Sequence, residues 1–168
     1  MVMTFLKWGI PGFIIALVAM AFLTTKTFHV ERVIEADEAI IWEILSDTGR
    51  YHEWNPVFVR VDGAYKEGAT LKNTVRFPTG ALVEMSAHVK TLTPMREVHQ
   101  HGGTPGIITF DHQWLLEPVE GGTRVIQHEL DRGIYLWFWD SSWLEPAYAT
   151  VLDALEARAT EMAARDNN

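Results

Sequence analysis

The sequence contains no cysteine among its 168 residues, so a disulfide framework, a thiolate nucleophile and a cysteine-based zinc site are all excluded. Positive charge is scarce: 14 Lys and Arg stand against 22 Asp and Glu, for a formal net charge of −8. A chain of that balance, with no basic stripe, repels phosphate backbones, which excludes nucleic acid as an expected partner. Catalytic motifs are missing too. There is no phosphate-cradling glycine loop with its lysine, no serine nucleophile elbow and no HExxH pair. No cofactor is expected, and paired carboxylates occur only as scattered charges. Internal repeats, low-complexity tracts and linkers are absent from the region after the N-terminal segment.

What is present is an ordinary globular composition, 48% hydrophobic and 21% charged, of a length suited to one domain and an accessory segment. Seven Trp is a high count that implies a well-filled aromatic core or a wide apolar cavity. The accessory segment, residues 1–26, holds an uncharged run from Trp8 to Leu23 between Lys7 and Lys26. With Thr24 and Thr25 it is at the short end of what crosses a hydrocarbon core of ~30 Å. Trp8, Phe13, Ile14, Ile15, Leu17 and Phe22 are the expected anchor residues, and a single-pass membrane protein is the expected localisation. The alternative is a signal peptide cleaved after Ala19-Met20-Ala21, leaving a secreted or periplasmic protein.

Residues 27–168 form the domain. Alternation predicts a first strand from Phe28 to Glu35, and Asp37 then caps a helix whose apolar face carries Ile40, Ile41, Ile44 and Leu45. A short second helix, Arg50 to Trp54, closes at Asn55-Pro56. Six strands follow: Val57–Val61, Thr70–Phe77, Leu82–Leu92, Arg96–His101, Ile107–Leu116 and Thr123–Leu130. The turn signals between them include Asp62-Gly63, Gly102-Gly103-Thr104-Pro105-Gly106 and Glu120-Gly121-Gly122. Such short links favour an antiparallel meander. The clearest periodicity is the last, with Leu144, Tyr148, Val151, Leu152, Leu155, Ala159 and Met162 at three- and four-residue steps. This order predicts an α+β fold of about seven antiparallel strands, curled around a long C-terminal helix.

Trp42-Glu43-Ile44-Leu45-Ser46-Asp47 followed by Tyr51-His52-Glu53-Trp54-Asn55-Pro56 resembles the START-like helix-grip superfamily (SRPBCC). Within it the likeness is closest to bacterial polyketide cyclase/dehydrase-type proteins. The segment Leu116-Glu117-Pro118-Val119-Glu120-Gly121-Gly122-Thr123-Arg124-Val125 is similar to that family's last hairpin. The resemblance implies the helix-grip fold and the binding of apolar small molecules or lipids. It implies no particular reaction, because these motifs mark a helix end and a hairpin rather than an active site.

Candidate site residues lie on the faces that point toward the helix. Val83, Met85, Ala87 and Val89 form an apolar strand face that suits a cavity wall or a core. Phe110, His112, Trp114 and Leu116 share another. If the last hairpin pairs Val119 with Gly122, His112 lies opposite Glu129 and Trp114 opposite Gln127. A histidine–carboxylate pair there can orient a ligand or move a proton; it can equally be a satisfied polar pair. Trp54, Tyr148 and Leu152 complete the inward set. Tyr135-Leu136-Trp137-Phe138-Trp139 follows neither period, so Trp137 and Trp139 are read as the lip of a cavity, a bilayer contact or a plug over the core. His99-x-His101 brings two imidazoles to one face without an evident third ligand, and no metal is expected. The leading expectation is membrane-tethered binding of a hydrophobic small molecule or lipid. The alternatives are a polyketide cyclase/dehydratase-like enzyme and a protein-interaction module with a filled core.

Overall fold

The computed structural model describes residues 2–166, and the side chains of residues 10–165. Helix α1 (Val2–Leu23) leads into β1 (Thr25–Ile34), and α2 (Glu38–Ser46) and α3 (Tyr51–Trp54) follow. Next come β2 (Phe58–Asp62), β3 (Thr70–Arg76), β4 (Leu82–Thr93), β5 (Glu97–Thr104), β6 (Ile108–Val119) and β7 (Gly122–Arg132). A 3₁₀ turn, Ile134–Trp137, precedes the last helix, α4 (Leu144–Asp166). The seven strands form one antiparallel sheet in the order β1-β7-β6-β5-β4-β3-β2. This is the expected α+β helix grip: a meander whose last strand returns beside the first, laid against α4.

The core sits where the helical stripe predicts it. Val151, Leu152, Leu155 and Ala159 of α4 are buried with Ile41, Ile44 and Leu45 of α2 and with Trp114, Leu116 and Val125 of the sheet. At the rim, Arg32 of β1 pairs with Asp153 and Glu156 of α4, and Arg158 of α4 reaches Glu53 of α3 at 2.8 Å. These exposed pairs set the helix's orientation more than its stability.

Several local expectations are corrected. Asp37 is the N-cap of α2, but its carboxylate makes no capping bond; its backbone carbonyl accepts from Ile40 and Ile41 instead. Gly102 and Gly103, expected in a turn, lie in β5. A side chain at Gly102 would run into the Phe110 ring and the backbone of Ser86, so glycine here lets β4, β5 and the Phe110 ring close up. Gly103 has φ +92°, a conformation that side chains resist. β1 begins at Thr25, two residues before the expected domain boundary.

The N-terminal helix differs most. Among the described residues no helix is long and apolar enough to cross a membrane. The side chain of Trp8 lies outside those described. Phe13, Ile14, Ile15 and Phe22 are exposed, while Leu17 is half-buried. The helix end is held to the domain: the Phe22 ring lies over Gly106, and Trp137 donates its indole N–H to Thr24 Oγ1 at 3.0 Å.

Candidate functional site

Between the sheet and the first turns of α4 the core does not close. A cavity of about 460 Å³ lies there, within the range of small-molecule sites. Its walls are built by local sequence. Asn55, before Pro56, turns its carboxamide oxygen back to accept from the backbone N–H of Val57 at 3.0 Å and Phe58 at 2.8 Å. That fixes the entry to β2 and directs the Phe58 ring into the cavity, stacked on Tyr148 at 6.3 Å between centroids. Val75, Phe77 and Met85 supply the wall from β3 and β4. Trp139 and Trp143, edge-to-face at 6.2 Å, and Tyr135, stacked on Trp139 at 6.4 Å, close the end near the 3₁₀ turn.

Two polar groups interrupt this apolar lining. On one side Tyr51, Tyr65 and Gln100 form a chain: Gln100 donates to the Tyr65 hydroxyl at 3.3 Å, Tyr65 meets Tyr51 at 3.2 Å, and Tyr51 donates to the Leu45 carbonyl at 2.9 Å. Burial pushes both phenols above their ordinary range, so they stay neutral. The carboxamide oxygen of Gln100 is buried without a partner.

The other group lies along β6, β7 and α4. The register is the expected one, His112 opposite Glu129 and Trp114 opposite Gln127, with the hairpin closing at Val119 and Gly122. The pairing of side chains is not the expected one. Gln127 donates its amide N–H to His112 Nε2 at 3.0 Å, while Glu129 accepts from the Tyr148 hydroxyl at 2.6 Å. Burial lowers His112 to about 3, helped by the charges of His99 and His128, so the imidazole is neutral and accepts at Nε2.

Glu129 is not alone. Asp131, two residues on and on the same strand face, also lines the cavity. Burial and the charge of Asp131 push the Glu129 carboxyl well above the carboxylate range, and burial pushes Asp131 up to about 7. On one strand face in an apolar surround the two carboxyls do not both ionise readily, and between them they hold a proton. Tyr148 is pushed up by burial and by Glu129. Asp131 Oδ1 is buried and has no hydrogen-bond partner.

Of the residues singled out from the sequence, Met85, Phe110, His112, Trp114, Glu129, Trp139 and Tyr148 come together at the cavity. The others do not line it. Ala87 and Val89 are fully buried beside it, Val89 packing with Tyr51, Val61 and Leu71, because β4 runs on past the cavity into packed core. Val83, at the near end of the same face, is 40% exposed. Leu152 belongs to the packed core, and Gln127 sits behind His112. Trp54 packs edge-on against Tyr51 at 5.1 Å and borders a small surface groove instead. Trp137 points outward, 48% exposed, because its indole is drawn to Thr24. The cavity residues missed include Phe58, Tyr65, Val75, Phe77, Gln100, Asp131 and Trp143; strand alternation carried through Glu129 would have reached Asp131. Among the described residues no three His, Asp or Glu side chains converge as a metal site.

The comparisons with known proteins agree with this architecture. A structure of an uncharacterized protein from Rhizobium leguminosarum superposes with a TM-score of 0.67 at 19% identity, over 82% of this chain and 96% of that one. The Zhui aromatase/cyclase from a Streptomyces species gives 0.67 at 14% identity, over 83% and 96%. A protein from Nitrosomonas europaea gives 0.67 at 14%, over 82% and 96%. At such identities these likenesses show the fold. Among curated protein sequences none matches the chain. The family model described as polyketide cyclase/dehydrase and lipid transport matches residues 25–160, from the first strand into the last helix. The chain belongs to that family.

Proposed function

We propose that the domain holds an apolar small molecule or lipid, noncovalently, in the cavity between the sheet and α4. The observation that carries this is the cavity itself: about 460 Å³ of space walled by rings such as Phe58, Trp143 and Tyr148, in a family whose description includes lipid transport. Desolvation would supply the affinity, at about 25 cal/mol per Å² of apolar surface buried. The polar groups orient the bound molecule. A protein-interaction module presupposed a filled core, which this interior does not fit. Native mass spectrometry of the full chain, with extraction of whatever travels with it, tests the reading. One apolar molecule per chain is expected; an empty chain that also refuses neutral hydrophobic fluorophores contradicts it.

The mouth of the cavity supports a further part of this reading, contact with a lipid surface. Ile107, Tyr135, Trp137 and Phe138 are exposed beside it, Phe138 at 79%. The apolar end of α1 is fastened to the same place through Thr24 and Phe22. Together they make one apolar surface next to Tyr135 and Trp139, which border the cavity. Aromatic rings with polar edges favour the membrane interface. Flotation of the full chain with liposomes is expected, and Phe138→Asp with Trp137→Asp should abolish it. Flotation unchanged by both substitutions contradicts the contact.

A second reading, acid–base conversion of a bound polyketide-like molecule, draws support from Glu129, a protonated carboxyl inside the cavity, and from the likeness to an aromatase/cyclase. Turnover that is lost in Glu129→Gln and bell-shaped in pH would favour it.

A further inference from the structure

We propose that the ligand of this cavity is an apolar molecule carrying one basic amino group, lodged as its ammonium against the Glu129–Asp131 carboxyl pair. The inference rests on the binding function proposed above and deepens it by naming the ligand's chemistry.

The first argument is what the lining lacks. Among the described residues no Lys or Arg borders the cavity. His112 is neutral and presents its Nε2 to Gln127. A fatty-acid carboxylate or a phosphate lodged head-first inside would therefore meet two acids in the wall and no cation in it to pair with. Desolvating an anion without a partner is among the most costly events a binding site can suffer.

The second argument is what the lining leaves unpaired. The carboxyl pair shares one proton, so near pH 8 it carries one negative charge in an apolar surround. Tyr148 satisfies one oxygen of Glu129. Asp131 Oδ1 has nothing. A hydroxyl on the ligand could donate to that oxygen but would leave the charge uncompensated. An ammonium does both, through a charge-assisted bond. The rings of Tyr135, Trp139 and Trp143 at the same end offer faces to a cation.

Each element packed around the pair contributes a group. His112 comes from β6, Tyr148 from α4, and Lys26 from β1, directly opposite Asp131 in the sheet. Lys26 is the resident cation, but its ammonium donates to Ser141 Oγ at 3.1 Å and acts on Asp131 through its charge alone. It moderates the site without filling it. Because Asp131 is pushed up to about 7, the charge that attracts the amine is present above that pH and disappears as pH falls through it.

The test uses three heads on one body: 4-phenylbutylamine, 4-phenylbutan-1-ol and 4-phenylbutanoate. Each competes with the neutral fluorophore N-phenyl-1-naphthylamine on the full chain. At pH 8 the amine should bind at least tenfold tighter than the alcohol, with the carboxylate weakest. Its advantage should fall about tenfold per pH unit below 7. Asp131→Asn should remove the amine's advantage over the alcohol. An amine no tighter than the alcohol at pH 8, or an advantage that survives both acid and Asp131→Asn, overturns the inference and leaves the binding cavity standing. Failure of the fluorophore and all three compounds to bind overturns both. The pH titration of the unaltered chain decides the matter even if the Asn variant does not fold.

Discussion

The two halves of α4 meet the same sheet in opposite ways. From Val151 onward the helix presents Leu152, Leu155 and Ala159, and these are buried against α2, Trp114 and Val125. Before Val151 it presents Leu144 and Tyr148, and there the sheet stands off to leave the cavity. The difference lies in the side chains that face each half. Branched aliphatics and small residues interdigitate to interior density. Phe58 stacks on Tyr148 at 6.3 Å and Trp139 meets Trp143 edge-to-face at 6.2 Å, rigid plates that prop one another apart, with polar groups of Gln100 and Asp131 left unpaired among the described residues. One half of the helix is an instrument of stability and the other of binding.

That contrast makes ordered predictions. Leu155→Ala should be the most damaging, costing about 2–5 kcal/mol in chemical denaturation, while the folded fraction still takes up a neutral fluorophore; a loss of uptake out of proportion to unfolding would blur the two halves. Asp131→Asn should act in the opposite sense. The folded state holds this proton to about pH 7 while an unfolded aspartate releases it near 3.8, so the native protein loses stability as pH rises between those values. The variant lacks that loss and should become the more stable one by up to roughly 4 kcal/mol at pH 8, with little difference near pH 4. Equal denaturation midpoints at both pH values would show that the carboxyl is not shifted.

Tyr148→Phe removes the hydroxyl that Glu129 relies on and should cost about 1–2 kcal/mol. Urea titrations showing a cost as large as that of Leu155→Ala would mean the open half is load-carrying core. Arg32→Ala breaks the exposed pairs to Asp153 and Glu156 and should cost under about 1 kcal/mol with no effect on uptake.

The packed half was the legible half. A stripe at helical spacing from Leu144 to Met162 has one solution, and the structure buries it as read. The two-residue turn Glu120-Gly121 set the hairpin register, and with it the cross-strand positions of His112 and Glu129. What that register could not show is the diagonal from Gln127 to His112, or the reach of Glu129 across to Tyr148 on a helix nineteen residues later. These choices depend on how far the sheet curls. Asp131 is hidden from the sequence because the readable strand ends at Leu130, which leaves the second carboxyl outside it, whereas β7 runs on to Arg132. Tyr65 lies in a loop, where no periodicity assigns a face. Ala87 and Val89 had the right face but the wrong height along the strand. The N-terminal run was legible as apolar, and its attachment to Trp137 and Gly106 was not, since nothing local signals contacts so distant in sequence.

The most direct test of the account fills the open half. Met85 borders the cavity and is only partly buried, so Met85→Trp should occupy the space without disturbing the packed half. In a fluorescence titration with N-phenyl-1-naphthylamine, the unaltered chain should take up one molecule, and Met85→Trp should bind at least tenfold more weakly with an unchanged denaturation midpoint. Equal binding by both chains, or no uptake by the unaltered one, would contradict the claim that this half of the helix grip is a binding cavity.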